Sequence, residues 1–253
     1  MHSATTGQDG LSAITFFKGL SEDYGRAMAQ LQGKGMLLDA VLQLAYDSFD
    51  TNVSAQTAKL PALDCHKGCA TCCTLRVTAT APEVLMVARF IRALDPALQA
   101  RGIDLPGQVA RADQLTHGLA ETARVAARQR CPFIAQGVCV IYQVRPLACR
   151  GLASYDKRAC AQAAAGQIDA IPYSEPHMQV RSLVQNAMQS AMRDAGLAWG
   201  NYELNQALTM ALNDPSLEAR WLAGEDVFAA AQVSEVDPAD MASTFDAIKQ
   251  AAH

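Results

Sequence analysis

The chain has 253 residues, of which 50% are hydrophobic, and a formal net charge of -4 at pH 7. This charge offers no electrostatic attraction to nucleic acid, no stretch of about 18 apolar residues is present to span a membrane, and the N-terminus lacks the basic and apolar regions of a secretory signal. We therefore expect a cytoplasmic protein with no nucleic-acid or membrane partner, in which clustered cysteines bind metal or act in redox chemistry rather than form disulfides.

The first part of the chain is predicted to be helical. Residues 1–20 are polar and contain glycine, so we expect them to be loose. Apolar residues recur at helical spacing over residues 22–56, which predicts one long helix. Gly33 and Gly35 weaken this helix or split it in two.

The middle of the chain combines a buried helix with two strand candidates. Residues 75–78 alternate in polarity and predict a short strand. A second strand candidate at 138–142 is expected to pair with residues 74–78. Thr80 and Glu83 form a capping-box pattern, which predicts the start of an apolar helix over 82–94. A further helix is predicted from Gly107 to about Arg130, where Cys131 and Pro132 end it.

The remainder is predicted to be helical and to lack any further motif. The expected helices are 157–165, which carries Cys160, and then 175–195, 200–212, 215–222 and 239–250. The fold class is therefore mainly α, with helices packed around an irregular cysteine-rich metal-binding centre and at most two short strands. We expect three segments: an N-terminal helical extension (1–60), a cysteine-cluster module (61–165) and a C-terminal helical segment (166–253).

The cysteines carry the chemistry of this sequence, because four of the eight fall within residues 65–73. Cys65, Cys69 and Cys72 follow a C-x3-C-x2-C spacing, and Gly68 permits the tight turn that directs successive sulfurs to one point. Zinc and iron–sulfur clusters both use such loops. Cys73 follows Cys72 directly, so it supplies a second centre, bridges two ions or stays a free thiol. Eight thiols match two four-ligand centres, or one cluster with thiols left over.

The charge around these cysteines supports metal binding. Residues 61–80 and 131–160 contain six basic and two acidic residues, although the whole chain is acidic. Such basic residues offset the negative charge of several thiolates around a metal. We also considered ordinary buried thiols, a disulfide scaffold and a radical S-adenosylmethionine enzyme, which shares the C-x3-C-x2-C spacing. The last needs a repeated βα barrel, which this helical sequence does not predict.

A family resemblance becomes specific over residues 131–150. The sequence there reads Cys131-Pro132-Phe133-Ile134, then Gly137-Val138-Cys139-Val140-Ile141-Tyr142, then Arg145-Pro146-Leu147-Ala148-Cys149-Arg150. With the upstream cluster, this resembles the YkgJ-type cysteine-cluster family, named for its CxxCxxCC motif and described as a zinc- or iron-chelating domain. The family is similar to the cysteine-rich part of flagellin lysine N-methylases, for which an iron–sulfur cluster has been proposed. One departure is the three-residue gap between Cys65 and Cys69, where the family motif has two.

The resemblance implies a ligand set and supporting residues. Arg145 and Pro146 would fix the turn into Cys149, and Arg150 would face the metal centre. His66 and His177 are alternative ligands, since imidazole suits zinc and iron, whereas His117 and Tyr142 are more simply explained as a surface residue and a core residue. The metal ligands implied are Cys65, Cys69, Cys72, Cys73, Cys131, Cys139 and Cys149, with Cys160 as an eighth candidate.

Three functions are compatible with this ligand set. The first is a zinc- or iron-binding protein, with an iron–sulfur cluster as one form, whose centre is structural or sensory. The second is a cluster-dependent enzyme that modifies a protein substrate, such as a lysine N-methyltransferase, although we find no glycine-rich cofactor loop and no assembled catalytic set. The third is a zinc-stabilised helical module that binds a protein partner.

Overall fold

The architecture is mainly α-helical, as the sequence predicts. A computed structural model describes residues 6–66, 68–168 and 170–251. Helices account for 62% of the structure, and the described residues form eleven of them. The helices are α1 Thr6–Leu31, α2 Met36–Thr57, α3 Ala81–Gln99, α4 Leu105–Thr116, α5 Glu121–Ala127, α6 Leu147–Gly151, α7 Lys157–Ala164, α8 Glu175–Asp194, α9 Leu204–Asn213, α10 Leu217–Leu222 and α11 Pro238–Gln250.

Helix α8 lies at the centre of the fold and packs against α1, α2 and α6. Its buried face carries Val180, Val184 and Met188, which are fully shielded from solvent. Gly33, at a φ of +70°, makes the turn that separates α1 from α2, so the split form of the predicted long helix is the correct one. This turn allows α1 and α2 to lie side by side on α8.

The expectation that residues 1–20 are loose is wrong for residues 6–20, which belong to α1. Phe17 and Leu20 are buried in the hydrophobic core, so tertiary packing stabilises a segment whose local sequence is a weak helix former. Residues 1–5 lie outside the described part of the chain. The helix expected from Gly107 to Arg130 is also interrupted, since α4 ends at Thr116 and Gly118 takes a φ of +69° before α5 begins.

Four two-residue strands form two small sheets in the described residues. They are β1 Thr78–Ala79, β2 Ile134–Ala135, β3 Val138–Cys139 and β4 Tyr202–Glu203. The predicted pairing of 74–78 with 138–142 is wrong: β1 pairs antiparallel with β4, and β2 pairs antiparallel with β3. Gln136 and Gly137 both have positive φ, at 50° and 79°, and close the β2–β3 hairpin locally. A two-residue turn with this geometry is a low-cost connection, so the segment pairs with its neighbour in sequence.

A single hydrophobic core connects the three segments expected from the sequence, since it includes residues such as Leu38, Val84 and Trp221. The division of the chain into those three segments stays a prediction. Gly151, in α6, lies directly against α8: a Cβ at this position would come within 2.6 Å of the Cβ of Arg181. None of the helices in the described residues has the length and apolar character needed to cross a membrane.

Candidate metal centre

The first cysteine segment, residues 65–73, is held at both ends by remote parts of the chain. At one end the Cys131 N–H donates to the Cys73 carbonyl at 2.7 Å. At the other end the Asp64 N–H donates to the Ser154 carbonyl at 3.1 Å, and the Ser154 N–H donates to the Cys65 Sγ at 3.2 Å. These two attachments bring the segments that carry the other cysteines to the first one.

Tight turns shape the backbone within this segment. The Cys69 N–H donates to the His66 carbonyl at 3.0 Å, and the Cys73 N–H donates to the Ala70 carbonyl at 3.1 Å. Gly68 takes a φ of +99°, a conformation that disfavours residues with a side chain. The sequence prediction that Gly68 permits the turn is therefore confirmed.

Backbone amides also bond to two of the downstream thiols. The Phe133 N–H bonds to the Cys131 sulfur, and the Ile141 N–H bonds to the Cys139 sulfur, each amide lying two residues after its cysteine. Both hydrogen bonds lower the pKa of their thiol, because an N–H group favours the charged thiolate. Burial outweighs this effect, so the net pKa of each of the two thiols is raised.

Two short helices position the remaining cysteines. Cys149 lies in α6, where the Leu147 N–H donates to the Glu83 carboxylate at 2.6 Å. The same carboxylate accepts from the Thr80 N–H at 2.7 Å, so the predicted capping box of α3 is confirmed and also anchors α6. Cys160 lies in α7, which is capped by the Asp156 side chain. No local sequence signal indicates this second role of Glu83, because its partner Leu147 lies 64 residues away.

All eight thiols are half-buried, and burial keeps several of them protonated. Desolvation raises the pKa of Cys131 to about 11 and is the largest cause of the raised pKa values of Cys65, Cys139 and Cys149. The pKa of Cys72 is also raised, first by a hydrogen bond with the Cys73 side chain and then by burial. A metal ion must therefore displace protons from these groups.

The charges of neighbouring thiols also raise the pKa values of two cysteines. The pKa of Cys65 is raised by the charges of Cys69, Cys72 and Cys160. The pKa of Cys149 is raised by the charges of Cys131, Cys139 and Cys72. Cys72 is thus close to both of these cysteines.

Arg145 is the basic residue whose charge acts on the largest number of these thiols. Its positive charge lowers the pKa values of Cys72, Cys139 and Cys149. Its guanidinium lies 4.0 Å from the centroid of the Tyr142 ring, and its buried Nε has no hydrogen-bond partner among the described residues. An unpartnered buried N–H next to several sulfurs fits a site that carries excess negative charge when a metal is bound.

The expectation that Arg150 faces the centre is wrong. Arg150 donates to the carbonyls of Arg145 and Gln143, at 3.1 and 2.7 Å, and its guanidinium stacks on the Tyr46 ring at 3.9 Å. Arg150 therefore stabilises the turn that precedes Cys149. Arg124 of α5, which is 6% exposed, lowers the pKa of Cys131 instead. The sequence could not single it out, because it lies in an ordinary helical pattern.

The histidines and tyrosines near the thiols have different positions. His66 is exposed, and its Nδ1 lies 2.9 Å from the Asp64 carbonyl. The Nδ1 of His177 lies 2.7 Å from the Ser174 hydroxyl. Tyr173 was not predicted from the sequence as a neighbour of the thiols. Burial is the largest cause of its raised pKa, and the charges of Cys160, Cys72 and Cys65 raise it further. A lone tyrosine in a loop gives no sequence signal. Tyr142 is partly exposed rather than a core residue.

The donors present fit a soft metal, although they are not arranged around a point. In the part of the chain that the structure describes, no three His, Cys, Asp or Glu side chains are placed to hold one ion. The donors are nevertheless thiols on segments that hydrogen bonds hold together. These bonds join residues 64–65 to residues 154–157, and Cys73 to Cys131. Thiolate donors select zinc, iron or an iron–sulfur cluster over oxygen-preferring cations.

Comparison with known proteins found one family model that matches the cysteine-rich segment. Residues 64–166 match the family CxxCxxCC, described as "Putative zinc- or iron-chelating domain". The match confirms the resemblance found in the sequence, and it includes all eight cysteines. Searches of curated proteins and of solved structures found no match to this chain.

Proposed function

We propose, from the match of residues 64–166 to the CxxCxxCC family model, that this chain binds zinc or iron through its clustered thiolates. The observation that carries the proposal is the pair of backbone attachments, Cys131 to Cys73 and Ser154 to Cys65, which join cysteines distant in sequence. Eight thiols, four of them within nine residues, are more than the packing of a helical core requires. The metal centre is structural or sensory, and the bound ion joins the loops between α2 and α8.

The residues that would hold the metal are the eight cysteines of the sequence prediction. Thiolates supply negative charge and strong bonds to zinc or iron, and the unpartnered Nε of Arg145 supplies a hydrogen bond and a positive charge beside them. A bound metal contributes directly to the stability of the fold, because the unfolded chain does not hold the same ligands together. We propose a cytoplasmic location and, for the exposed helical surface, a protein partner.

An anaerobic purification with metal analysis and a visible spectrum tests this function. A colourless protein that carries zinc supports a structural site, and a brown protein with iron and acid-labile sulfide supports a cluster. Metal-free protein from both anaerobic purification and reconstitution with Zn²⁺ or Fe²⁺ would contradict the proposal. Titration calorimetry with S-adenosylmethionine separates the enzyme alternative, since a structural or sensory metal protein is expected to show no binding.

A further inference from the structure

We propose that a cavity beside the cysteine module binds a small aliphatic monocarboxylate, held by Arg124, Arg130 and Asn205. The cavity lies between α5, the loop that follows α5 and the first turn of α9, and it measures about 300 Å³, including space that is open to solvent. This volume is at the lower end of the range for small-molecule sites. Cys131 forms part of the wall, but none of the three residues that would hold the carboxylate is a candidate metal ligand.

Asn205 is a buried residue whose side-chain amide lacks a partner in the fold. It is 6% exposed, lies in the first turn of α9 and lines the cavity. Its amide makes no side-chain hydrogen bond to any residue that the structure describes. A buried amide without a hydrogen-bond partner destabilises a fold, so a polar ligand in the cavity would supply the partner that the protein itself does not.

Arg124 brings a positive charge to the same cavity. It is also 6% exposed, and its Nη2 lies 3.0 Å from the Glu203 Oε1. Glu203 is the one ion-pair partner of this guanidinium among the described residues. A guanidinium carries five N–H donors, and the contact with Glu203 uses one end of it. Because Arg124 lines the cavity, its remaining donors are available to an anion there.

The charges around the cavity favour a ligand with a single negative charge. Two arginines, Arg124 and the exposed Arg130, line the cavity, and none of the described residues in its wall is acidic. Glu203 lies outside the lining and balances Arg124, and Asp113, the other acid near Glu203, lies outside the lining as well. A monocarboxylate therefore balances Arg130, whereas a phosphate dianion would bring a second charge without a partner.

The rest of the wall is mostly apolar and determines the rest of the ligand. It includes Leu75, Val77, Phe133 and Leu204. Phe133 and Leu204 are each 2% exposed and belong to the hydrophobic core, so this wall is fixed by packing. An apolar wall with a few convergent polar groups is the usual composition of a small-molecule site. A short aliphatic chain would contact this wall while its carboxylate reaches Arg124 and Asn205, which matches an acid of about the size of butyrate.

Saturation-transfer NMR of the full-length protein, with butyrate as the titrant, tests this site. Butyrate is expected to bind with a Kd of about 1 mM, an affinity typical of a ligand this small. 1-Butanol and butylamine, which lack the carboxylate, are expected to bind at least about 10-fold more weakly. Arg124→Gln and Asn205→Leu are each expected to weaken butyrate binding about 10–100-fold. Arg128→Gln is the matched control and is expected to keep the wild-type affinity, because Arg128 is exposed, directly follows α5 and does not line the cavity.

Three results would overturn the assignment. These are no binding of butyrate to the wild type, equal binding of butyrate and 1-butanol, and wild-type affinity in folded Asn205→Leu. A short peptide with a free C-terminal valine tests the other source of an aliphatic carboxylate, and its binding where butyrate does not bind would assign the cavity to a chain terminus instead of a free acid.

Circular dichroism verifies that each variant is folded, since Arg124→Gln leaves Glu203 without its ion-pair partner. Asn205→Leu and Arg130→Gln retain that pair and carry the test if Arg124→Gln unfolds. Metal content is measured on the same samples. Loss of butyrate binding with unchanged metal content therefore separates failure of this site from failure of the proposed metal-binding function.

Discussion

Glu83 joins the helical core to the cysteine module, and its replacement gives a sharp test of the structure. The side chain is 1% exposed and accepts from the Thr80 N–H, the Thr80 hydroxyl and the Leu147 N–H at 2.7, 2.8 and 2.6 Å. Glu83→Ala removes this acceptor from the starts of two helices, α3 and α6. It also removes the connection between the strand that follows the first cysteine segment and the helix that carries Cys149.

The expected cost follows from these three hydrogen bonds. Hydrogen bonds to a charged group contribute about 1.5–3 kcal/mol each, and a donor left buried without an acceptor costs about 1–3 kcal/mol. Burial of the carboxylate, which raises the pKa of Glu83, offsets part of this sum. We therefore expect Glu83→Ala to lower the free energy of unfolding by roughly 3 kcal/mol, which corresponds to a fall in Tm of about 6–12 °C in a chain of this size.

Urea unfolding followed by circular dichroism and tryptophan fluorescence measures this change, with a chelator present so that metal does not contribute. Glu22→Ala is the control, because Glu22 is exposed on α1 and should alter stability by less than about 0.5 kcal/mol. A Glu83→Ala protein as stable as the control would refute the assignment of Glu83 as the common anchor of α3 and α6.

The pH dependence of Glu83→Gln gives a second measurement on the same residue. The folded-state pKa of Glu83 is raised, chiefly by burial, above an unfolded value of about 4.3. A raised folded-state pKa contributes stability that is present below the unfolded pKa and is lost as the pH rises through the folded pKa. The free energy of unfolding of wild type minus that of Glu83→Gln is therefore expected to be largest below the unfolded pKa of about 4.3. It is expected to fall as the pH rises from there through the folded-state pKa of Glu83. A difference that increases with pH would contradict this sign.

Three further predictions concern packing and the metal centre. Gly151→Ala forces a Cβ against α8 and is expected to destabilise the protein by about 1–3 kcal/mol, whereas Gly25→Ala, with nothing within 4 Å of the new atom, is expected to be neutral or stabilising in urea titrations. Trp221→Ala removes a fully buried side chain and is expected to cost about 3–5 kcal/mol by the same measurement, and a loss under about 1 kcal/mol would contradict its place in the core. Arg145→Gln is expected to weaken zinc binding about 10–100-fold, measured by competition with a chromophoric chelator. Arg101→Gln, at an exposed position, is the control and is expected to have no effect. Equal zinc affinities of the two variants would show that Arg145 does not act on the metal centre.

The helical fold follows largely from local sequence signals. The capping box at Thr80 and Glu83 and the glycine turn at Gly33 were predicted because each depends on residues a few positions apart. The strand pairing and the helix at residues 6–20 were not predicted correctly. Both depend on partners distant in the chain, since β1 pairs with β4 and Phe17 packs in the core.

In the candidate site, too, some features follow from local sequence and others depend on residues distant in the chain. Local spacing correctly predicted the turn at Gly68, whereas the eight cysteines as metal ligands stay a prediction. Choosing Arg145 over Arg150 as the residue whose charge acts on several thiols required the fold, because the two side chains differ only in where the turn before α6 directs them.

The sequence by itself determined the helical class and the soft-metal donor set, because helix formation and clustered thiols are properties of short segments. The tertiary structure alone decided which thiols are neighbours, since Cys65 meets the region of Cys160, and Cys131 meets Cys73, through hydrogen bonds between segments far apart in the chain. Helices α1, α2, α3 and α8, which contribute to the same hydrophobic core, hold those segments in place. Burial in that core also sets the protonation of the thiols, because desolvation depends on the surrounding fold and not on the neighbouring residues in sequence.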